Sequence, residues 1–198
     1  MANVNAPRGF SPVSTLNGAS WNQAGRLYAV PTADTTHSFA IGDVVMSLAS
    51  SDTNGIPYVQ RWAGATTTSA LPLGNLDLTQ TYINPGTRTN VRYIYVVDDP
   101  NVIFTAQFDS TAIVSGDLHK NSDVSVTTTV TYTSSAPFST MVLTAPAVTA
   151  SLPIRLMGAY QIANNAVGAY VRVLCKWNFH EYGVTAGASG TVPGYLAA

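Results

Sequence analysis

Residues 91–108, VRYIYVVDDPNVIFTAQF, carry the plainest structural signal in the chain. Val91, Tyr93, Tyr95 and Val97 fall on one face of a period-two repeat, and Ile94 and Val96 fall on the other. Apolar side chains on both faces predict a strand covered from both sides for most of its length. Asp98-Asp99-Pro100-Asn101 then breaks the run with turn chemistry, because carboxylates bond back to the backbone and proline fixes φ. The alternation resumes with Val102, Phe104, Ala106 and Phe108 on one side. The expectation is a β-hairpin at the heart of a β-sheet protein.

The 198 residues suffice for one sizeable core, and no linker of the kind that separates domains is visible. Charged residues make up 10% of the chain, against about 25% in ordinary soluble domains. Lysine occurs only at Lys120 and Lys176. A disordered chain would carry more charge and fewer apolar residues, so this one is expected to fold. A surface so poor in charge is weakly protected against association, which predicts that other chains cover much of it. The net charge is −1 and the cations are scattered singly, so no phosphate-neutralising cluster points to nucleic acid. No apolar run approaches the roughly 18 residues of a membrane helix. The opening MANVNAPRGFSPVS lacks the charged-then-apolar pattern of a signal peptide, and folding in the cytoplasm of the producing cell is expected. Cys175 is the single cysteine and makes no internal disulfide; without a basic partner to lower its pKa it reads as a buried structural thiol.

Residues 1–25 hold Pro7, Gly9, Pro12, Gly18 and Gly25, with Phe10, Leu16 and Trp21 spaced irregularly, and read as an extended arm carrying apolar anchors, which either lies along its own domain or reaches a neighbour. Strands are expected near 26–30, 39–48, 56–62, 71–78, 124–133, 141–145, 154–160 and 169–179. Asn54-Gly55 predicts a hairpin between the second and third of these, and Pro57 marks the returning strand as an edge. Asp109-Ser110-Thr111 opens one or two turns of helix that end near Gly116. From Gly183 onward the composition is that of a flexible tail. Many short strands with Gly, Pro and Asn turns give an all-β fold, a jelly-roll-like sandwich or barrel. A single β domain at 26–182 is expected between an N-terminal arm (1–25) and a C-terminal tail (183–198).

No constellation for catalysis or metal binding emerges. His180-Glu181 would need a second histidine at position 184, which is Val184. His37 and His119 sit among polar loop residues with no ligand at zinc spacing. Asp98 and Asp99 are adjacent on one turn, where two carboxylates rarely flank a substrate at the required separation, and turn formation accounts for both. Asp117 and Asp123 lack the spacing of a calcium loop, and Gly187-Ala188-Ser189-Gly190 is not a nucleophile elbow. Neither an enzyme nor a cofactor is expected. Tyr58, Trp62, Tyr93, Tyr95, Tyr170, Trp177 and Tyr182 have two uses open to them, core or interface packing and a sugar-stacking surface; packing is favoured because most lie inside strand patterns.

Several segments, in order, resemble the capsid cement proteins of tailed phages, also called head decoration proteins. They are Asn5-Ala6-Pro7-Arg8-Gly9-Phe10-Ser11-Pro12-Val13 with Leu16-Asn17-Gly18; Gly42-Asp43-Val44-Val45 with residues 52–59; Arg92-Tyr93 through Val97-Asp98-Asp99-Pro100 to Phe104 and Gln107; Gly116-Asp117, Lys120-Asn121 and Asp123; Ser151-Leu152-Pro153-Ile154-Arg155-Leu156-Met157-Gly158; and residues 171–176 with Asn178, His180 and Thr185-Ala186-Gly187. The resemblance implies a jelly-roll-like protein on the outer surface of the virion capsid, clamping neighbouring major capsid protein subunits as a dimer or trimer, with no catalysis and no cofactor. Contacts to subunits are expected from the two arms, at Pro7, Arg8, Phe10, Leu16, Trp21 and Tyr195, and from Tyr182 at the end of the β domain. Two other functions compete. A carbohydrate-binding β-sandwich of a phage fibre or tail requires an exposed row of aromatics. A small hydrolase requires a pocket with histidine and carboxylate in hydrogen-bond reach.

Overall fold

The computed structural model describes residues 3–22, 24–64, 74–76, 86–126 and 138–183. Its strands are β1 (Ser11–Thr15), β2 (Arg26–Val30), β3 (Val44–Ser51), β4 (Pro57–Arg61), β5 (Gly74–Leu76), β6 (Arg92–Val97), β7 (Val102–Gln107), β8 (Asn121–Ser122), β9 (Val124–Ser125), β10 (Val142–Leu143), β11 (Ile154–Ala159) and β12 (Arg172–Trp177). The fold is all-β, as the turn-rich, β-branched sequence predicts. An antiparallel sheet in the order β1-β7-β12-β11-β8 packs beside a closed barrel in the order β2-β4-β3-β5-β6, with β9 and β10 as a small separate pair.

Three strands of the large sheet show their inner faces in the sequence. Val102, Phe104 and Ala106 of β7, Ile154 and Leu156 of β11, and Val173, Cys175 and Trp177 of β12 are buried at every second position. They form the larger core with Phe10, Trp62, Phe108, Met141 and Leu143. A smaller core fills the barrel with Tyr28, Val30, Phe39, Val45, Val59, Ile94 and Val96. Val96 and Val97 are consecutive, so their side chains point to opposite faces of β6, Val96 into the barrel and Val97 into the larger core.

That alternation explains why residues 91–108 do not form the expected hairpin. β6 pairs with β2, placing Leu27 opposite Tyr95, and with β5, whereas β7 pairs with β1 and β12. The Asp98–Asn101 turn exists, with the Val102 N–H donating to the Asp99 carbonyl at 3.2 Å, but it carries the chain from barrel to sheet. Two strands joined by a turn look the same in sequence whether they pair or part. Nor is β6 covered on both sides throughout, since Tyr93 and Tyr95 are exposed on the outer barrel wall. The hairpin across Asn54-Gly55 does form, with Met46 opposite Gln60 in β3 and β4.

The helix expected after Phe108 is replaced by irregular chain and one 3-10 turn at Ser115–Asp117. Asp109 gives its N–H to the Leu143 carbonyl (3.0 Å) and receives the Tyr170 N–H at its own (3.1 Å), so neighbouring chain takes the groups a helix would use. The segment at 124–133 is a strand only at β9 within the described residues; 127–133 lie outside them.

Residues 3–22, expected as an extended arm, lie along their own domain. β1 adds an edge strand to the sheet, Ser11 opposite Thr105 and Thr15 opposite Val102. Phe10, fully buried, fixes its start. Ahead of it, Gly9 and Gly42 cross at close range with φ of +63° and +87°, and the Phe10 N–H donates to the Gly42 carbonyl at 3.0 Å. A Cβ on Gly9 would overlap that carbonyl and the Ser139 side chain. Beside this crossing lies a buried ion pair. Asp43 accepts from Arg61 Nε (3.2 Å), Ser139 Oγ (2.6 Å) and the Ala40 N–H (2.9 Å), the hydrogen bonding a buried carboxylate requires.

Candidate functional site

The residues expected to meet neighbours divide sharply in position. Phe10 has no exposed surface, and its ring lies 5.1 Å from that of Trp177, so it is a core side chain and not a contact. Pro7 is half-buried; Arg8 is exposed, its guanidinium 4.6 Å above the Phe138 ring. Leu16 is exposed on a tight turn, held by its N–H to the Asn101 carbonyl at 2.8 Å. Tyr195 lies outside the described residues. Trp21 and Tyr182, 161 positions apart in the chain, line one groove.

This groove has a volume of about 640 Å³ and runs between residues 15–22 and 24–26 on one side and the Asp98-Asp99-Pro100 turn on the other. The turn at 15–19 is built locally: Asn17 Oδ1 receives the Ala19 N–H at 3.0 Å, and the Thr15 N–H donates to the Ala19 carbonyl at 2.8 Å. The Trp21 N–H then donates to Val13 at 3.0 Å and folds the segment back over β1. Across the groove, Asp99 Oδ1 caps the turn through the Asn101 N–H (2.8 Å), the role turn chemistry predicts. Asp98 does something different. It is nearly buried, and Oδ2 accepts the Tyr28 hydroxyl at 2.7 Å, with Arg26 Nε 3.5 Å away. The hydroxyls of Tyr28 and Tyr182 are 3.2 Å apart, and the Arg26 guanidinium stands 6.0 Å from the Tyr182 ring. Burial, and then the hydrogen bonds with Tyr182 and Asp98, push the Tyr28 phenol well above its ordinary pKa, so it stays a donor. The sequence does not single out Arg26 or Tyr28, which fall in an expected strand, and turn formation accounts for Asp98 there.

Comparison with protein families, with curated proteins and with solved structures finds no match to this chain. What the site can do is therefore argued from geometry alone.

Two sets of exposed apolar side chains lie outside the groove's lining. At one end of the sheet, the Asn3 side chain donates to the carbonyls of Ala166 (2.7 Å) and Ala169 (2.8 Å) and accepts the Ala166 N–H (3.0 Å). Gln107 clamps the same segment from the other side, giving Nε2 to Val4 (2.8 Å) and taking the Ala6 N–H (3.0 Å). Val4, 74% exposed, is thereby fixed beside the loop that carries exposed Ile162 and Val167. The second surface is the outer barrel wall, where Leu27 and Tyr95 are exposed directly opposite each other and Tyr93 follows on the same face. The Tyr93 hydroxyl donates to Asp52 Oδ2 at 2.7 Å, and that bond leads the causes holding the Asp52 carboxyl below its usual range.

Among the described residues, no three His, Cys, Asp or Glu side chains converge as a metal would require, and no helix is long and apolar enough to cross a membrane. His37 Nδ1 lies 3.0 Å from Asp34 Oδ1, but this pair sits on a surface turn and does not line the groove. His180 is buried, with Nδ1 accepting the Tyr182 N–H at 3.1 Å. The Cys175 thiol is fully buried, which pushes its pKa up and leaves it a poor nucleophile.

Proposed function

We propose that the protein is a cement, or decoration, protein of a tailed-phage capsid, seated on the outer surface of the shell, where it clamps neighbouring major capsid protein subunits and associates with further copies of itself as a dimer or trimer. The observation that carries the reading is the pairing of two separate apolar surfaces on one scaffold, in a chain with 10% charged residues. Val4, Ile162 and Val167 occupy one end of the sheet, and Leu27, Tyr93 and Tyr95 occupy the barrel wall. A clamp needs two attachment points held at a fixed separation. Once one is engaged the other binds intramolecularly, so modest contacts multiply. Anchoring of Val4 through Asn3 and Gln107 favours this role, because a pre-ordered segment loses little entropy on docking.

The test is co-sedimentation of the full chain with assembled capsids of its phage, with free capsid subunits as control. Wild type is expected to pellet with shells and raise their heat resistance. The triple variant Val4→Lys, Ile162→Lys, Val167→Lys is expected to stay in solution while melting at the wild-type temperature. A folded triple variant that pellets undiminished, or a wild type that ignores shells, overturns the proposal.

A further inference from the structure

We infer that the groove between Trp21 and Tyr182 is a binding site for a short neutral saccharide. Its volume, about 640 Å³, falls within the roughly 300–1,000 Å³ range of small-ligand sites. Half-exposed Tyr182 gives it an aromatic face suited to the apolar C–H faces of pyranose rings, and Trp21, packed against the larger core, lines it as well. The remaining chemistry is that of hydroxyl recognition. Asp98 uses Oδ2 for Tyr28 and Arg26, and Asp99 uses Oδ1 for its own turn; each keeps its second oxygen without a partner among the described residues. Asn17 and Asn22 bind backbone through Oδ1, to Ala19 and Ala24, which leaves their amide N–H groups to donate. The Arg26 side chain is 73% exposed at the rim.

Carboxylate acceptors beside amide and guanidinium donors match the paired donor and acceptor capacity of vicinal hydroxyls. The alternatives fit less well. An anionic ligand would meet two carboxylates and a single cation that is already engaged with Asp98. A wholly apolar ligand would strip water from those carboxylates and leave them unpaired. A neutral polyol with an apolar face pairs its hydroxyls with these carboxylate oxygens and amide N–H groups while that face meets the aromatic lining. The site is rigid before binding, since the Tyr28 hydroxyl holds Asp98 and lies within hydrogen-bond reach of Tyr182, and residues 15–21 are tied into β1. The inference does not depend on shell attachment, because none of Val4, Ile162, Val167, Leu27, Tyr93 and Tyr95 lines the groove.

The experiment titrates the full chain with cellotriose, maltotriose and triacetylchitotriose, with 3′-sialyllactose as the anionic comparison. Binding is read by calorimetry and by tryptophan fluorescence, to which Trp21 contributes the groove signal while Trp62 and Trp177 are buried. Saturable binding of at least one neutral trisaccharide is expected, weakened about tenfold by Tyr182→Ala and by Asp99→Asn, which remove the stacking face and one acceptor. Tyr182→Phe keeps the ring and is expected to keep most of the affinity, which separates stacking from the link to Tyr28. Thermal melts of each variant establish that it is folded. The inference is overturned if no neutral trisaccharide saturates, if folded Tyr182→Ala and Asp99→Asn proteins bind unchanged, or if sialyllactose binds as tightly as the best neutral ligand.

Discussion

At the scale of single residues, burial decides what a side chain offers. Phe10 and Leu16 look alike in sequence as anchors of an arm, yet one is sealed in the core and the other stands on a turn in solvent. Glu181 sits between these extremes. Partial burial raises its carboxyl pKa, opposed in part by hydrogen bonds from the Ser47 hydroxyl and backbone. The sign for stability follows directly. A carboxyl whose folded pKa lies above its unfolded value favours folding most when protonated, and that contribution is lost as pH rises through the folded pKa. Glu181→Gln is therefore expected to match wild type below about pH 4 and to become the more stable of the two as pH climbs toward 7. Urea denaturation across that range measures it; a stability difference that does not vary with pH would refute the assignment.

At the scale of elements, periodicity was legible and pairing was not. The inner faces of β7, β11 and β12 can be read from every second residue, because each strand sees one core. The partners of β6 and β7 cannot, because nothing local records that Val96 and Val97 serve different cores. β1 was hidden for another reason. Its Ser-Pro-Val-Ser-Thr sequence has no apolar alternation, and its place is set by the neighbouring Phe10 and by the crossing of Gly9 over Gly42. That crossing gives a sharp expectation. Gly9→Ala should lower stability by about 2–3 kcal/mol, combining left-handed strain with backbone overlap. Gly18→Ala is the control, since Gly18 also has positive φ (+88°) but nothing within 4 Å of its Cβ position, and should cost about 1–2 kcal/mol of strain alone. Equal losses in the two variants, read from denaturant midpoints, would show that the crossing is looser than described. The groove was illegible for a related reason, since Trp21, Asp98 and Tyr182 come from three distant segments that meet only in the folded chain.

At the scale of the whole molecule, barrel and sheet share a wall in β6, so neither core closes without the other. The described tryptophans belong to or pack against the larger core, and the barrel core contains none. Val59→Ala, a cavity in the barrel worth about 2 kcal/mol, should then lower the melting midpoint seen by tryptophan fluorescence as much as that seen by far-ultraviolet circular dichroism. A fluorescence midpoint that stays put while the dichroism midpoint falls would mean two independent units. The all-β class was evident from many short strand patterns between Gly, Pro and Asn turns; the division into barrel and sheet was not, since local pattern is blind to topology. The N-terminal strand has one further consequence. β1 lies antiparallel along β7, and the chain ahead of it runs back through buried Phe10 to Val4, so tension applied along the strand axis from that side strains the rungs of β1 together instead of peeling them one by one. A neighbour tugging on that end would meet shear resistance, the mode in which a short strand yields last.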